Sequence, residues 1–305
     1  MSKKRGFTAD DVPDQSGKTF FVTGANTGIG FHTARILAGK GARVLMGCRS
    51  MDKAEDAASR IRDAFPSADL EIVQVDLGDL ASIRAAAEVV AREPRLDVLV
   101  NNAGLMMPPF QETADGFESQ FGVNHLGTFA LTGLLLDKLE ETPGARVVNT
   151  SSNGHKAGKV DFDDLNAEKG YGAFRQYALS KLANLLHVHE LDRRLEAAGR
   201  KTIAVTVHPG GSDTDLGRHL GKGVSTFVLP LLRPFMNTAA QGAWPTLMGA
   251  TAPAVQSGQY FGPRGVGEMA GPAKLVDSNA ASKDASVARR LWDVSVEMTG
   301  VDPGV

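Results

Sequence analysis

The chain has 305 residues, 42% of them apolar and 22% charged, which is the composition of an ordinary folded domain and excludes the disordered and fibrous classes. Lys plus Arg number 33 against 35 Asp plus Glu, so the net charge of −2 carries no basic excess toward nucleic acid or an anionic membrane. Cys48 is the only cysteine, which excludes an intrachain disulfide and a cysteine-cluster zinc site.

Residues 1–16 read as a polar tail. No apolar segment follows Lys3-Lys-Arg5, so neither a signal peptide nor an anchor is expected there, and no run reaches the roughly 18 apolar residues of a membrane span. Six short β-rich runs then alternate with helix-length spacers: 18–23, 42–48, 70–75, 97–100, 145–149 and 202–207. Helices are expected through Arg35 and Leu37, over 53–64 and over 82–92. The near-continuous apolar character of the runs suits strands buried on both faces. Alternation of this kind predicts an α/β fold: a doubly wound parallel sheet flanked by helices, with right-handed crossovers, in one domain spanning 1–305. The pattern weakens after Pro209. Residues 211–305 are expected to add a loop over the site and a C-terminal cap, with a loop-rich stretch from Pro253 to Pro272 and a last helix over 286–296.

Three constellations carry chemistry. Thr23-Gly-Ala-Asn-Thr-Gly-Ile-Gly30 lies between the first strand and the first helix, and its glycines permit a tight turn with close approach of a pyrophosphate to a helix N-terminus. Glycines alone would also suit an ordinary βα turn; the strand–helix context favours a dinucleotide site. Where an NAD site usually places an acid, the second strand ends in Cys48-Arg49. A guanidinium there can pair with a 2′-phosphate, so NADP(H) is the expected cofactor. Tyr177-Ala-Leu-Ser-Lys181 places a phenol and an ammonium four residues apart on one helix face. A cation beside a phenol favours the phenolate, which equips the tyrosine for proton transfer. In isolation such a pair is an ordinary helix-surface contact; its weight comes from Asn101-Asn-Ala-Gly104 after one strand and Val147-Val-Asn-Thr-Ser-Ser152 at the end of another.

Taken in this order over roughly residues 17–215, the motifs resemble the short-chain dehydrogenase/reductases, a single-domain Rossmann-fold family. The branch most resembled is the retinol-dehydrogenase-like one, which includes the light-dependent protochlorophyllide reductases. Gly47-Cys-Arg49, Val123-Asn-His-Leu-Gly-Thr-Phe129, Asp161-Phe-Asp-Asp-Leu-Asn166 and His208-Pro-Gly210 carry that narrower likeness. The resemblance implies that Gly24, Asn26, Thr27, Gly28, Ile29 and Gly30 hold the pyrophosphate and Arg49 the 2′-phosphate. Asp76 would bond the adenine amino group with Leu77 beside it, and Asn102, Ala103 and Gly104 would line the adenosine ribose and the sheet floor. Ser152 would hold the substrate oxygen, Tyr177 would exchange its proton, and Lys181 would bind the nicotinamide ribose. Asn124 would hold a water leading from Lys181 to solvent, and Pro209, Gly210, Ser212 and Thr214 would contact the nicotinamide end.

Strand residues alternate faces, so only one of Ser151 and Ser152 should enter the cleft, and the family pattern selects Ser152. The 25 residues from Ser152 to Tyr177 are about twice the usual family spacing, and the 154–172 segment resembles the insertion of the retinol-dehydrogenase-like branch. His125 is expected to be structural, and His187 and His189, two apart, face different ways on their helix; no metal site is expected.

The expected activity is hydride transfer between NADP(H) and an alcohol or carbonyl carbon, as in an NADP-dependent alcohol dehydrogenase or carbonyl reductase. Val224, Phe227, Val228, Leu229, Leu231, Leu232 and Phe235 favour a small apolar alcohol, aldehyde or ketone as partner. Two alternatives stand beside it: a C=C reductase of the protochlorophyllide-reductase type, and a catalytically idle NADP(H)-binding sensor. A cytoplasmic location and a homodimer or homotetramer are expected.

Overall fold

The computed structural model describes residues 6–211 and 236–305. One mostly parallel sheet organises the chain, in the order β3-β2-β1-β4-β5-β6-β7-β8. The strands are β1 (Thr19–Thr23), β2 (Arg43–Cys48), β3 (Asp69–Gln74), β4 (Val98–Asn101), β5 (Arg146–Thr150), β6 (Ile203–Val207), β7 (Tyr260–Pro263) and β8 (Ala273–Val276). The first six coincide with the six apolar runs to within a residue or two. β7 and β8 were expected as loop and cap; β7 instead pairs parallel to β6, and β8 returns antiparallel along it.

Successive strand residues point to opposite faces, and the core divides accordingly. Phe20, Val22, Val44, Met46 and Val148 pack under α1 (Gly28–Gly39) and α2 (Met51–Ala64). Phe21, Leu45, Leu99 and Val147 pack under α3 (Leu80–Ala91), α4 (Thr128–Glu140) and α5 (Ala173–Ala197). Phe20 and Phe21, adjacent in sequence, are both fully buried on opposite sides, each contributing on the order of 1.5–3 kcal/mol of burial. α6 (Trp244–Thr251) covers the first face beside β6 through Leu247 and Ala250. α7 (Ala285–Thr299) closes the second face with Trp292, capped at its start by Asp284 and ended at Gly300 in the left-handed conformation.

The strand order reverses between β1 and β4, and a crevice opens at the carboxyl ends of the strands where helices leave in opposite directions. Both ends of this junction are fastened. Asp97 Oδ2 accepts from the Thr19 backbone N–H at 2.8 Å. At the other end Thr23 Oγ1 accepts from the N–H groups of Asn102 and Ala103, and the Asn102 side chain donates to the Thr23 carbonyl at 2.8 Å.

Candidate active site

The crevice is a cleft of about 350 Å³ running from the end of β2 across β1 and β4 to α5. At its centre the β1–α1 turn places Gly24 at φ +68° and Gly28 at φ +56°, conformations that favour glycine. A Cβ on Gly30 would sit 2.3 Å from the Gly24 carbonyl oxygen, so the helix can approach the turn this closely only with glycine there. Thr27 occupies the N-cap of α1, yet its side chain caps no N–H, leaving the first-turn donors turned toward the cleft for an anion. Asn26, Thr27 and Ile29 line the same wall.

At the β2 end Arg49 and Lys53 both line the cleft, flanking Ser50, which caps α2 without a side-chain hydrogen bond. Arg49 is 73% exposed and its Nη1 lies 3.8 Å from Asp76 Oδ2. Asp76 Oδ1 is occupied by the N–H of Gly78 at 2.9 Å, so the carboxylate is held in place with one oxygen left toward Arg49 and the cleft. Leu77, Asn102, Ala103 and Gly104 line the floor. The Asn102 amide also braces Thr23, a structural task beside the expected one. These features fit a dinucleotide: a cradle that a Cβ would fill, uncapped helix donors, and two cations at one end. Thr23, Ser50 and Lys53 were not singled out as site residues in the sequence. Lys53 could have been found from its place one helical turn after Arg49.

At the other end Tyr177 and Lys181 face the cleft from α5, with the Lys181 ammonium 5.8 Å from the Tyr177 ring centre. Lys181 is 5% exposed and donates to the Thr150 carbonyl at 3.2 Å. Of the two serines, the cleft lining includes Ser151 and not Ser152, against the expectation that Ser152 alone enters it. Ser151 is buried and donates to the Lys181 carbonyl at 2.7 Å. Ser152 is half-buried, caps a short 3-10 turn over Asn153–Ala157, and accepts from the Gly154 N–H at 3.1 Å. A Cβ on Gly154 would meet the Tyr177 ring at 3.1 Å and Ser152 Oγ at 3.5 Å, which brings serine and tyrosine together around that glycine.

Asn124 lies in a π-helical turn, Gly122–Gly127, that leads into α4. Its side chain accepts from the Leu105 N–H at 2.7 Å and donates to the Leu105 carbonyl and to Ser180 Oγ, both at 2.9 Å. A Cβ on Gly104 would touch Asn124 Oδ1 at 2.9 Å and Lys181 Nζ at 3.5 Å, so the three groups converge. Pro209 and Gly210 stand at the end of β6 on the same rim, Gly210 at φ +82°. Ser212, Thr214 and the apolar residues between 224 and 235 lie outside the described residues.

His125 is buried with Nε2 2.8 Å from Ser295 Oγ, and burial pulls its pKa down to about 3, a neutral packing residue. Among the described residues no cluster of His, Cys, Asp and Glu could hold a metal, and no helix is long and apolar enough to cross a membrane.

Comparison with known proteins agrees with this geometry. The family model for short chain dehydrogenases matches residues 18–224. Human retinol dehydrogenase 12 is 44% identical over 288 residues, covering 93% of this chain and 87% of the relative. A crystal structure of a Mycobacterium paratuberculosis protein superposes with a TM-score of 0.82 at 38% identity, covering 98% of this chain and 100% of the other. A short-chain dehydrogenase from Burkholderia cenocepacia, solved in complex with NADP, superposes with a TM-score of 0.63 at 25% identity, covering 81% of this chain and 96% of that one. The glycine cradle, the tyrosine–lysine face and the strand order therefore have one common source: the chain belongs to the short-chain dehydrogenase family, oxidoreductases that work with a nicotinamide cofactor, and to its retinol-dehydrogenase-like branch.

Proposed function

We propose that the protein is an NADP(H)-dependent alcohol dehydrogenase or carbonyl reductase acting on an apolar substrate. The observation that carries the reading is one continuous cleft with Arg49 and Lys53 at one end and Tyr177 and Lys181 at the other, with Ser152 Oγ close to the Tyr177 ring around Gly154. The bound nicotinamide supplies hydride exchange with carbon; the chain supplies placement and the proton. Gly24, Asn26, Thr27, Gly28, Ile29 and Gly30 cradle the pyrophosphate. Arg49 and Lys53 receive the 2′-phosphate, and Asp76, Leu77, Asn102, Ala103 and Gly104 take the adenosine.

In the reductive direction Ser152 Oγ donates to the substrate oxygen, a hydrogen bond that strengthens as charge grows there. Tyr177 delivers the proton to that oxygen, and Lys181 holds the ribose while favouring the tyrosine's phenolate form afterwards. The Asn124 side chain is fully engaged. The water it is proposed to hold beside Lys181 therefore falls to the main chain of the π turn, where the regular helical ladder is interrupted. Pro209 and Gly210 meet the nicotinamide.

An apolar substrate is supported by Leu105 and Met106 beside Tyr177 in the cleft wall and by the name of the human relative. Cys48 is buried in the sheet, and burial pushes its thiol up to about 11, which leaves no reactive thiol for chemistry of the protochlorophyllide-reductase kind.

The reading is tested by NADPH oxidation against retinal, a medium-chain aldehyde, an aromatic ketone and a quinone. Turnover of at least one carbonyl compound is the expected result; tight NADPH binding with no turnover of any would replace it by the sensor reading. The two serines give a sharper expectation. Ser152→Ala should lower kcat about 100-fold, the scale of a lost hydrogen bond to the developing oxyanion. Ser151→Ala should keep kcat within about twofold and cost about 1 kcal/mol of stability through its bond to the Lys181 carbonyl. Steady-state kinetics and thermal melts of both variants check the pair, and the opposite ranking in kcat would exchange their roles.

A further inference from the structure

Behind the β6 rim lies a polar cluster that the proposed reaction does not use. His208, the last residue before Pro209, is fully buried. Its Nδ1 accepts from the Gly210 N–H at 3.3 Å, which assigns the ring proton to Nε2. Nε2 lies 3.1 Å from Oε2 of Glu268. Burial pulls the His208 pKa down and the close His208 contact holds the Glu268 carboxyl below its ordinary range, so a neutral ring faces a carboxylate. Lys156 Nζ, 3.7 Å away, faces the same carboxylate.

Glu268 is held in an uncommon backbone conformation, φ +58°, directly after Gly267 at φ +60°. A glutamate there costs strain that a surface loop position would not retain without a partner. The conformation lays the 265–270 loop against the rim. Met269 accepts from the Gly211 N–H at 2.9 Å, and Gly267 accepts from the Asn153 side chain at 3.1 Å, next to Ser152. The loop is packed so tightly on the rim that a Cβ on Gly210 would lie 2.4 Å from the Met269 oxygen.

We infer that Glu268 is a positioning residue for the nicotinamide end of the cleft. Through His208 it fixes the Gly210 N–H, and through its loop it ties the Pro209–Gly211 rim to the turn that begins at Ser152. The inference rests on the nicotinamide reading of the cleft and adds to it a residue far in sequence from every family motif. The adenosine end, held by Arg49 and Lys53, is untouched by this cluster.

The test separates the two ends of the cofactor. Wild type, Glu268→Ala, Glu268→Gln and Glu268→Asp are titrated with 2′,5′-ADP, which occupies only the adenosine end, and with NADPH, followed by emission of the bound reduced nicotinamide. Glu268→Ala should bind 2′,5′-ADP as wild type does, bind NADPH about tenfold more weakly, the scale of one charge-assisted hydrogen bond, and lose the emission enhancement. Glu268→Gln, whose amide oxygen can still face Nε2 at the same distance, should recover most of both. Wild-type emission in Glu268→Ala, or a Gln variant as impaired as Ala, would overturn the chain of contacts through His208. Should Glu268→Ala fail to fold, Glu268→Asp decides: it keeps the charge but falls one methylene short, and unaltered nicotinamide emission in it would overturn the inference. A wild type that binds neither ligand rejects the nucleotide reading itself, a separate outcome.

Discussion

Tyr177→Phe is expected to lower kcat by a factor of about 100 or more while leaving the Kd for NADPH within about twofold. The substitution removes only the hydroxyl. The ring stays against the Gly154 turn, and Lys181 keeps its bond to the Thr150 carbonyl, so neither the fold nor the ribose side of the cleft is disturbed. What disappears is the group proposed to move a proton at the substrate oxygen. At about 1.4 kcal/mol per decade, the loss corresponds to roughly 2.7 kcal/mol or more of transition-state stabilisation. Single-turnover measurements with saturating NADPH separate this from binding, and near-normal turnover would remove Tyr177 from the mechanism.

The second large effect lies at the opposite end. Arg49 and Lys53 are both proposed to meet the 2′-phosphate, and one charge-assisted contact of this kind is worth roughly 1.5–3 kcal/mol, or 10- to 100-fold in affinity. The wild type should therefore prefer NADPH over NADH by at least tenfold in kcat/KM. Arg49→Ala with Lys53→Ala should abolish the preference by weakening NADPH by about 100-fold while leaving NADH nearly unchanged. Equal use of both cofactors by the wild type would mean that Arg49, exposed as it is, points only to solvent and to Asp76.

The strands from β1 to β6 were legible because strands covered on both faces are largely apolar, and such runs recur here between helix-length spacers. β7 and β8 were not. Each has four residues, β7 contains Gly262 and ends in Pro263, and the turn between them is rich in glycine. Gly262 is there because the His208 ring occupies the space of its Cβ, a tertiary cause with no local signature. The site shows the same division. Tyr177, Lys181 and the glycines could be read because spacing along one element brings them together. Lys53 was not singled out, because its value comes from Arg49 just before the helix start rather than from α2 itself. Glu268 lies in a glycine-rich loop sixty residues from His208, where no periodicity points. Alternation predicts that Ser151 and Ser152 point apart, yet Ser151's bond to the Lys181 carbonyl is visible only once β5 and α5 are side by side.

The pairing of β1 with β4 also governs how the chain must assemble. Phe20 meets Val98 across a separation of 78 residues, fastened by the equally distant Thr19–Asp97 contact. Closing so long a loop costs entropy before any strand contact repays it, and parallel sheets with such connections fold slowly. During synthesis the β1–β3 segment can form first with one edge of β1 bare, an apolar edge suited to mispairing until β4 arrives. The same junction forms the floor of the cleft. A nucleotide that binds across it therefore stabilises this long-range pairing, and refolding yields should rise when NADPH is present from the start.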